Sequence, residues 1–136
     1  MSEDALTKLI AGSHHGVLVT LKRDGRPQLS NVSYAYDAGV IRVSVTDDRA
    51  KTRNLRRDPR ASFYVTSGDF RSYVVAEGDA ELSAVTTDPH DAAADELVEV
   101  YRSIAGEHPD WDEFRAAMVE QRRLVARIPV GRVYGM

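Results

Sequence analysis

The 136-residue chain carries a formal net charge of −3, with 43% hydrophobic and 29% charged residues, the balance of one globular domain that buries a real core and is too small for two. It contains no cysteine, which excludes a disulfide framework, a thiolate metal site and a thiol nucleophile. The start, MSEDALTKLIAGSHH, lacks a basic segment followed by an apolar run, and no later apolar run approaches membrane-spanning length, so a cytoplasmic protein without a membrane partner is expected.

The first element reads as a short helix: Ser2 is placed to cap it, Leu6, Leu9 and Ile10 form an apolar stripe, and Gly12 ends it. The adjacent His14 and His15 would point to opposite sides of an extended segment, and no nearby carboxylate completes a set. They read as a solvated pair rather than metal ligands. Gly16 to Lys22 is rich in β-branched residues, Asp24-Gly25 supplies a hairpin turn, and Pro27 to Tyr36 returns along it. Asp37-Ala38-Gly39 turns the chain again into Val40 to Thr46, which predicts a three-stranded antiparallel meander. The centre of the middle strand, Gln28-Leu29-Ser30-Asn31, carries polar groups where Val or Ile would serve a core. Either these groups face solvent on a half-buried sheet, or amide and hydroxyl groups on a rigid strand are set to hydrogen-bond the edge of a heteroaromatic ring.

The segment SVTDDRAKTRNLRRDPR, Ser44 to Arg60, is the most informative. Between Arg49 and Arg60 lie six cations (Arg49, Lys51, Arg53, Arg56, Arg57, Arg60) against one anion, Asp58, so the segment is +5 and the remainder −8. Concentrating positive charge in one short place of an acidic chain suits a particular anion rather than any polyanion. Asp47 or Asp48 is expected to cap a helix stopped by Pro59, whose first-turn N–H groups beside Lys51 and Thr52 would suit a phosphate. At helical spacing Arg49, Arg53, Arg56 and Arg57 share an outward side, with Lys51 and Leu55 roughly opposite and Leu55 seating the helix on the barrel. A solvated basic face is the competing reading.

Strands are expected again over Ala61 to Thr66 and, past Ser67-Gly68-Asp69, in one long run from Arg71 to Ala84. Tyr73 in that run reads either as a core aromatic or as a wall for a planar ligand, and Gly78 as a candidate bulge. Asp88-Pro89 predicts a helix start, with Leu97, Val100 or Tyr101, and Ile104 as its buried stripe and Gly106 as its end. Asp110 with Glu113 reads as a capping box for a second helix. Its Trp111, Phe114, Ala117 and Met118 recur at helical spacing, as core or subunit interface. Leu124 to Tyr134 alternates apolar and polar around Pro129, a strand expected to return and close a barrel.

GVLVTLKRDGRPQLSNVSY, AKTRNLRRDPRAS, SYVVAEG and YRSIAGEHPDWDEFRAAMV together resemble the split-barrel flavin and deazaflavin proteins related to pyridoxamine 5′-phosphate oxidase. The likeness is greatest to the mycobacterial and actinobacterial branch that binds coenzyme F420, a deazaflavin with a phosphate and an oligoglutamate tail. The resemblance implies a mainly β fold with α, an antiparallel split β-barrel with peripheral helices. It further implies a homodimer with two cofactor sites at its interface. It would put the ring against Gln28, Leu29, Ser30 and Asn31, with Ser44 and Val45 alongside, and the phosphate and linker on Lys51, Thr52 and Asn54 with Arg49 nearby. The second subunit would supply Tyr73. Arg71 departs from the aromatic expected there, and the chain lacks the arginine-bearing C-terminal segment that holds pyridoxamine phosphate in the oxidases, which argues against that oxidase activity.

FMN needs one phosphate site, whereas a cofactor with a polyanionic tail gives the surplus arginines, Arg56 and Arg57 among them, carboxylates to pair with. The expected function is therefore a reductase that uses reduced F420 as hydride donor to a small organic acceptor. An FMN-dependent oxidoreductase of the same fold and a cofactor carrier without turnover are the alternatives, since no general acid stands out. A short basic run without interleaved aromatics argues against nucleic acid.

Overall fold

The computed structural model describes residues Met1–Met136. A helix, α1 (Glu3–Ala11), precedes β1 (His15–Leu21), β2 (Pro27–Ser33), β3 (Ala35–Asp37) and β4 (Val40–Thr46); α2 (Ala50–Arg57) leads to β5 (Arg60–Thr66), β6 (Tyr73–Asp79) and β7 (Glu81–Leu82). The hairpin of α3 (Ala92–Ala105) and α4 (Trp111–Glu120) follows, then β8 (Arg123–Pro129) and β9 (Arg132–Gly135). All strand pairs are antiparallel, in two sheets ordered β2-β1-β5-β6-β9 and β3-β4-β8-β7. This is the expected split barrel with peripheral helices.

Three of the expected strands divide, and each break moves the chain from one sheet to the other. The run expected over Pro27–Tyr36 breaks at Tyr34, so β2 edges the first sheet while β3 pairs with β4 in the second. The expected meander is thereby corrected: β2 does not pair with β4. The Arg71–Ala84 run begins as strand only at Tyr73 and breaks at Ala80, and the closing run breaks at Val130-Gly131. Small or special residues mark these corners. A Cβ on Gly78 would collide with the Pro129 carbonyl oxygen, so glycine there lets β6 and β8 cross where the sheets meet. Tyr34, fully buried, lies edge-on to Phe63 at 4.8 Å between ring centres and donates its hydroxyl to the Ile10 carbonyl at 2.5 Å. One corner side chain thus ties α1 to the barrel.

The main core fills the space between the sheets with Leu18, Ile41, Val43, Val45, Phe63, Val65, Val74, Leu124 and Ile128, all essentially inaccessible. Leu55 of α2 is buried in the same core, as expected of an anchor. A second apolar cluster, Leu97, Val98, Val100, Phe114 and Met118 with Ala35 and Val125, packs the α3–α4 hairpin onto the second sheet. Glu96 strengthens that seat: its carboxylate accepts from Arg42 Nε at 3.0 Å and from Arg127 Nε at 2.7 Å. Burial pushes the Glu96 carboxyl up, but the Arg127 and Arg42 guanidiniums outweigh it and hold it below the usual carboxylate range.

The helix starts need two corrections. Asp91, not Asp88, caps α3, its carboxylate accepting the N–H groups of Ala94, Thr87 and Asp88 and the Thr86 hydroxyl. Those donors hold its carboxyl at about 2 against the opposing pull of desolvation. Pro89 therefore lies outside the helix. The other correction concerns α2 and bears on function.

Candidate functional site

Neither Asp47 nor Asp48 caps α2. Arg49 occupies the N-cap position in an extended conformation, with no side-chain cap hydrogen bond. Both carboxylates have other partners: Asp47 pairs with Arg56 Nη2 at 2.6 Å and Arg122 Nη2 at 2.9 Å, and Asp48 accepts from the Thr46 hydroxyl at 2.8 Å. The first turn of α2 consequently lacks the side-chain oxygen that would occupy its N–H groups. A helix end left uncapped beside cations keeps its positive dipole end for an external anion.

Three cations gather at this helix start. Burial first, then the charges of Arg49 and Arg123, hold the Lys51 ammonium below its ordinary value. Burial and Arg49 likewise lower Arg123. Neither Arg49, Lys51 nor Arg123 forms an ion pair; Arg123 donates instead to Ser44 Oγ at 3.2 Å and to Gln121 Oε1 at 2.7 Å. Lys51 and Arg123, partly desolvated, repelled by Arg49 and without an ion pair, carry the electrostatic mark of an anion site. Sequence reasoning missed Arg123. Its only signal is its place at the start of the closing strand, which becomes meaningful once Thr46 is known to lie opposite it.

Of these cations, Lys51 and Arg123 open onto a cleft of about 450 Å³. One side of it is polar, with Asn31, Ser33, Ser44, Lys51 and Arg123, and the α3–α4 hairpin makes the other from Leu97, Val100, Tyr101, Ile104, Phe114 and Met118. Asn31, Ser44 and Lys51, which the resemblance puts at the cofactor, are therefore brought together. A second depression of about 460 Å³ lies on the outer face of the first sheet, with His15, Val17, Tyr64 and Thr66. Asn31, Val32 and Ser33 border both cavities. Because β2 is an edge strand, its outward N–H and C=O groups lie free along this ridge.

Other expected site residues are placed differently. Side chains alternate along β2, so Leu29 and Asn31 stand on the outer face and Gln28 and Ser30 on the inner one. The four cannot present side chains to one ring together; what they share is the free backbone edge. Val45 is 1% exposed within the core, leaving only its backbone for a ligand. Thr52 is fully buried and donates its hydroxyl to the Thr46 carbonyl at 2.7 Å. Asn54 is also buried, donating to Thr20 Oγ1 at 3.1 Å and accepting from Arg57 Nη2 at 3.0 Å. The Thr52 and Asn54 side chains hold α2 on the barrel, with their polar groups engaged by Thr46, Thr20 and Arg57.

The expected arginine side also divides. Arg49, being a cap with extended backbone, leaves the helical face and joins Lys51. Arg53, Arg56 and Arg57 line a separate basic concavity of about 620 Å³ with Arg23 of the β1–β2 turn. Within it Arg56 is pinned by Asp47, and Arg57 donates to the Leu21 carbonyl at 2.7 Å, whereas Arg23 and Arg53 make no ion pair. Tyr73 is neither core nor part of the cleft of its own chain. It stacks on Tyr64, centroids 5.8 Å apart, on the outer face of the first sheet. That face also carries Val17, Val19, Val75, Leu29 (60% exposed) and Tyr134 (46% exposed).

Residues 2–136 match the family described as pyridoxamine 5′-phosphate oxidase. The chain belongs to that family. Among solved structures, a conserved hypothetical protein of Mycobacterium tuberculosis is similar at 28% identity over 99% of this chain and 84% of its own, with a TM-score of 0.75. A protein described as an F420 reductase is 21% identical, with 98% of each chain covered and a TM-score of 0.74. An FAD-binding protein of Mesorhizobium loti is 24% identical over 99% of this chain and 94% of its own, with a TM-score of 0.72. Haem-binding proteins share the fold too, so the shared fold leaves the ligand to the site.

Proposed function

We propose that the protein is a homodimeric reductase that uses reduced coenzyme F420 as hydride donor to a small organic acceptor. The observation that carries this reading is the pair Lys51 and Arg123, without an ion-pair partner and with Arg49 nearby, lining a cleft beside the free edge of β2. The cations and the uncapped start of α2 fit a phosphate, and the backbone groups of Gln28 to Asn31 fit the alternating donors and acceptors of a fused heteroaromatic ring. Ser44, already a partner of Arg123, fits the linker. When bound, the deazaflavin would supply the hydride; the chain's residues bind the anion, align the ring along β2 and exclude water on the hairpin side.

The tail site moves from the pair named by sequence. Arg56 and Arg57 have internal partners, so Arg23 and Arg53 are the free guanidiniums for an oligoglutamate, with the other two lining the concavity. FMN, which needs the phosphate cluster alone, is the second reading, and a carrier without turnover remains a third outcome of the assays. The homodimer reading rests on the apolar outer face of the first sheet, which would place Tyr73 and Tyr64 of one subunit against the ring site of the other.

Fluorescence titration of F420 and FMN, with wild type and Lys51→Ala, tests the reading. Tight F420 binding that Lys51→Ala weakens by roughly tenfold or more is expected. Tight FMN binding with none of F420 would overturn it. Arg23→Ala with Arg53→Ala should weaken long-tailed F420 more than its tail-less form, and an equal loss for both would mean the arginines do not serve a tail. Failure of bound, reduced F420 to be oxidised by any of a panel of electrophilic acceptors would leave the carrier.

A further inference from the structure

The cleft at α2 has two walls of opposite chemistry, and the reading above uses only one. The polar wall holds every charged group in it, Lys51 and Arg123. The opposite wall is built entirely from α3 and α4, and none of its residues, Leu97, Val100, Tyr101, Ile104, Phe114 and Met118, carries a charge. Leu97, Val100, Phe114 and Met118 also pack the hairpin onto Ala35 and Val125, and packing alone would leave no more than voids of about a water molecule beside them. Instead a volume of about 450 Å³ lies between them and Ser44–Arg123, within the range of small-molecule pockets. Leu97, Val100, Phe114 and Met118 are buried and form a firm base, while Tyr101 and Ile104 are half-buried at the opening. The wall is fixed in position: Glu96, on the preceding turn of α3, is clamped to Arg42 and Arg127 of the sheet, and Asp91 caps the helix start.

We propose that the α3–α4 wall is the acceptor-selecting surface of this protein and that it takes an uncharged, apolar, conjugated molecule, with Tyr101 and Ile104 setting which one enters. This rests on the F420 reading for its catalytic use, though not for binding itself. An uncharged ligand follows from the wall's own chemistry: a charged group laid against it would lose hydration and gain no partner, and the only cations of the cleft belong to the anion site. A planar conjugated body follows from the combination of Tyr101 and Phe114 faces with the adaptable Met118 side chain.

The test uses the neutral solvatochromic dye Nile red, titrated into wild-type protein, Ile104→Trp, which fills the opening, and Ile104→Asp, which charges it. F420 titrations run in parallel, and circular dichroism checks folding. Saturable, blue-shifted dye emission is expected in wild type, weakened roughly tenfold or more in both variants, with F420 affinity unchanged. Dye binding that is equal in all three proteins would overturn the proposal by placing the dye elsewhere, the outer sheet face included. Displacement of the dye by F420 would also overturn it, because the wall would then serve the cofactor. If the dye binds at Ile104 and F420 does not bind at all, the apolar site stands and the F420 reading fails.

Discussion

Lys51→Met separates an anion-binding lysine from a structural one, because the two roles predict opposite signs for stability and affinity. Burial and the charges of Arg49 and Arg123 depress the Lys51 value in the folded chain, so between the folded and unfolded values the unfolded chain binds more protons. By linkage, stability then rises with pH across that window, and at neutral pH the ligand-free protein carries a penalty for keeping the ammonium charged. Lys51 is only partly buried and so partly screened, which limits each like-charge term to at most about 1 kcal/mol. Methionine keeps the apolar stem and removes the charge. The expected gain is roughly 0.5–1 kcal/mol, or about 2–5 °C in Tm for a domain of this size. The same change deletes a charge-assisted hydrogen bond to a bound phosphate, a loss of about 1.5–3 kcal/mol, which is roughly 10- to 150-fold in Kd. Thermal unfolding without ligand and calorimetric titration with F420 and FMN measure the two halves. A lower Tm with unchanged affinity for both cofactors would refute the assignment and make Lys51 a structural cation.

Removing the Glu96 carboxylate by Glu96→Gln should cost about 1–2 kcal/mol, since two half-exposed arginines lose their shared acceptor. Because the folded Glu96 value is lowered, its contribution is present above the ordinary carboxylate value and disappears as pH falls through the folded one; urea unfolding at several acidic pH values should show a flatter dependence in the variant, and parallel curves would disprove the role. Gly78→Ala should destabilise by about 1–3 kcal/mol, as its Cβ meets the Pro129 carbonyl; a Tm within 1–2 °C of wild type, on the scale expected for this domain size, would mean the corner yields freely. Val75→Lys, which places a charge between Tyr64 and Tyr134 on the outer sheet face, should convert a dimer to a monomer in sedimentation equilibrium, and an unchanged mass would remove that face from the interface.

Strand identity was legible because β-branched runs and turn dipeptides are local signals, and Val40–Thr46 is the strand expected. The sheet changes at Tyr34, Ala80 and Val130-Gly131 were not, because a strand that bends into a second sheet keeps its alternation; only close approaches such as Gly78 to Pro129 mark the corner. Capping failed at α2 for a related reason. Asp47 and Asp48 have the chemistry of a cap, but Arg56 and Arg122 compete for Asp47 and Thr46 for Asp48, and one of those partners is 75 residues away in sequence.

The same non-locality governs the site. Counting charge along Arg49 to Arg60 treats six cations as one patch, yet the fold places them differently: Lys51 in the cleft, Arg49 at the cap of α2 beside it, Arg53 in the second concavity, and Arg56, Arg57 and Arg60 against partners within the chain. The third member of the anion cluster, Arg123, comes from a strand whose register against β4 sets it opposite Thr46, at the entrance to α2. A basic run in sequence therefore reports how much positive charge a chain carries to one region. Which of those charges can bind a ligand depends on which carboxylates and carbonyls the fold brings to them first, and Lys51, left with only cations for charged neighbours, is the one that a bound phosphate would relieve most.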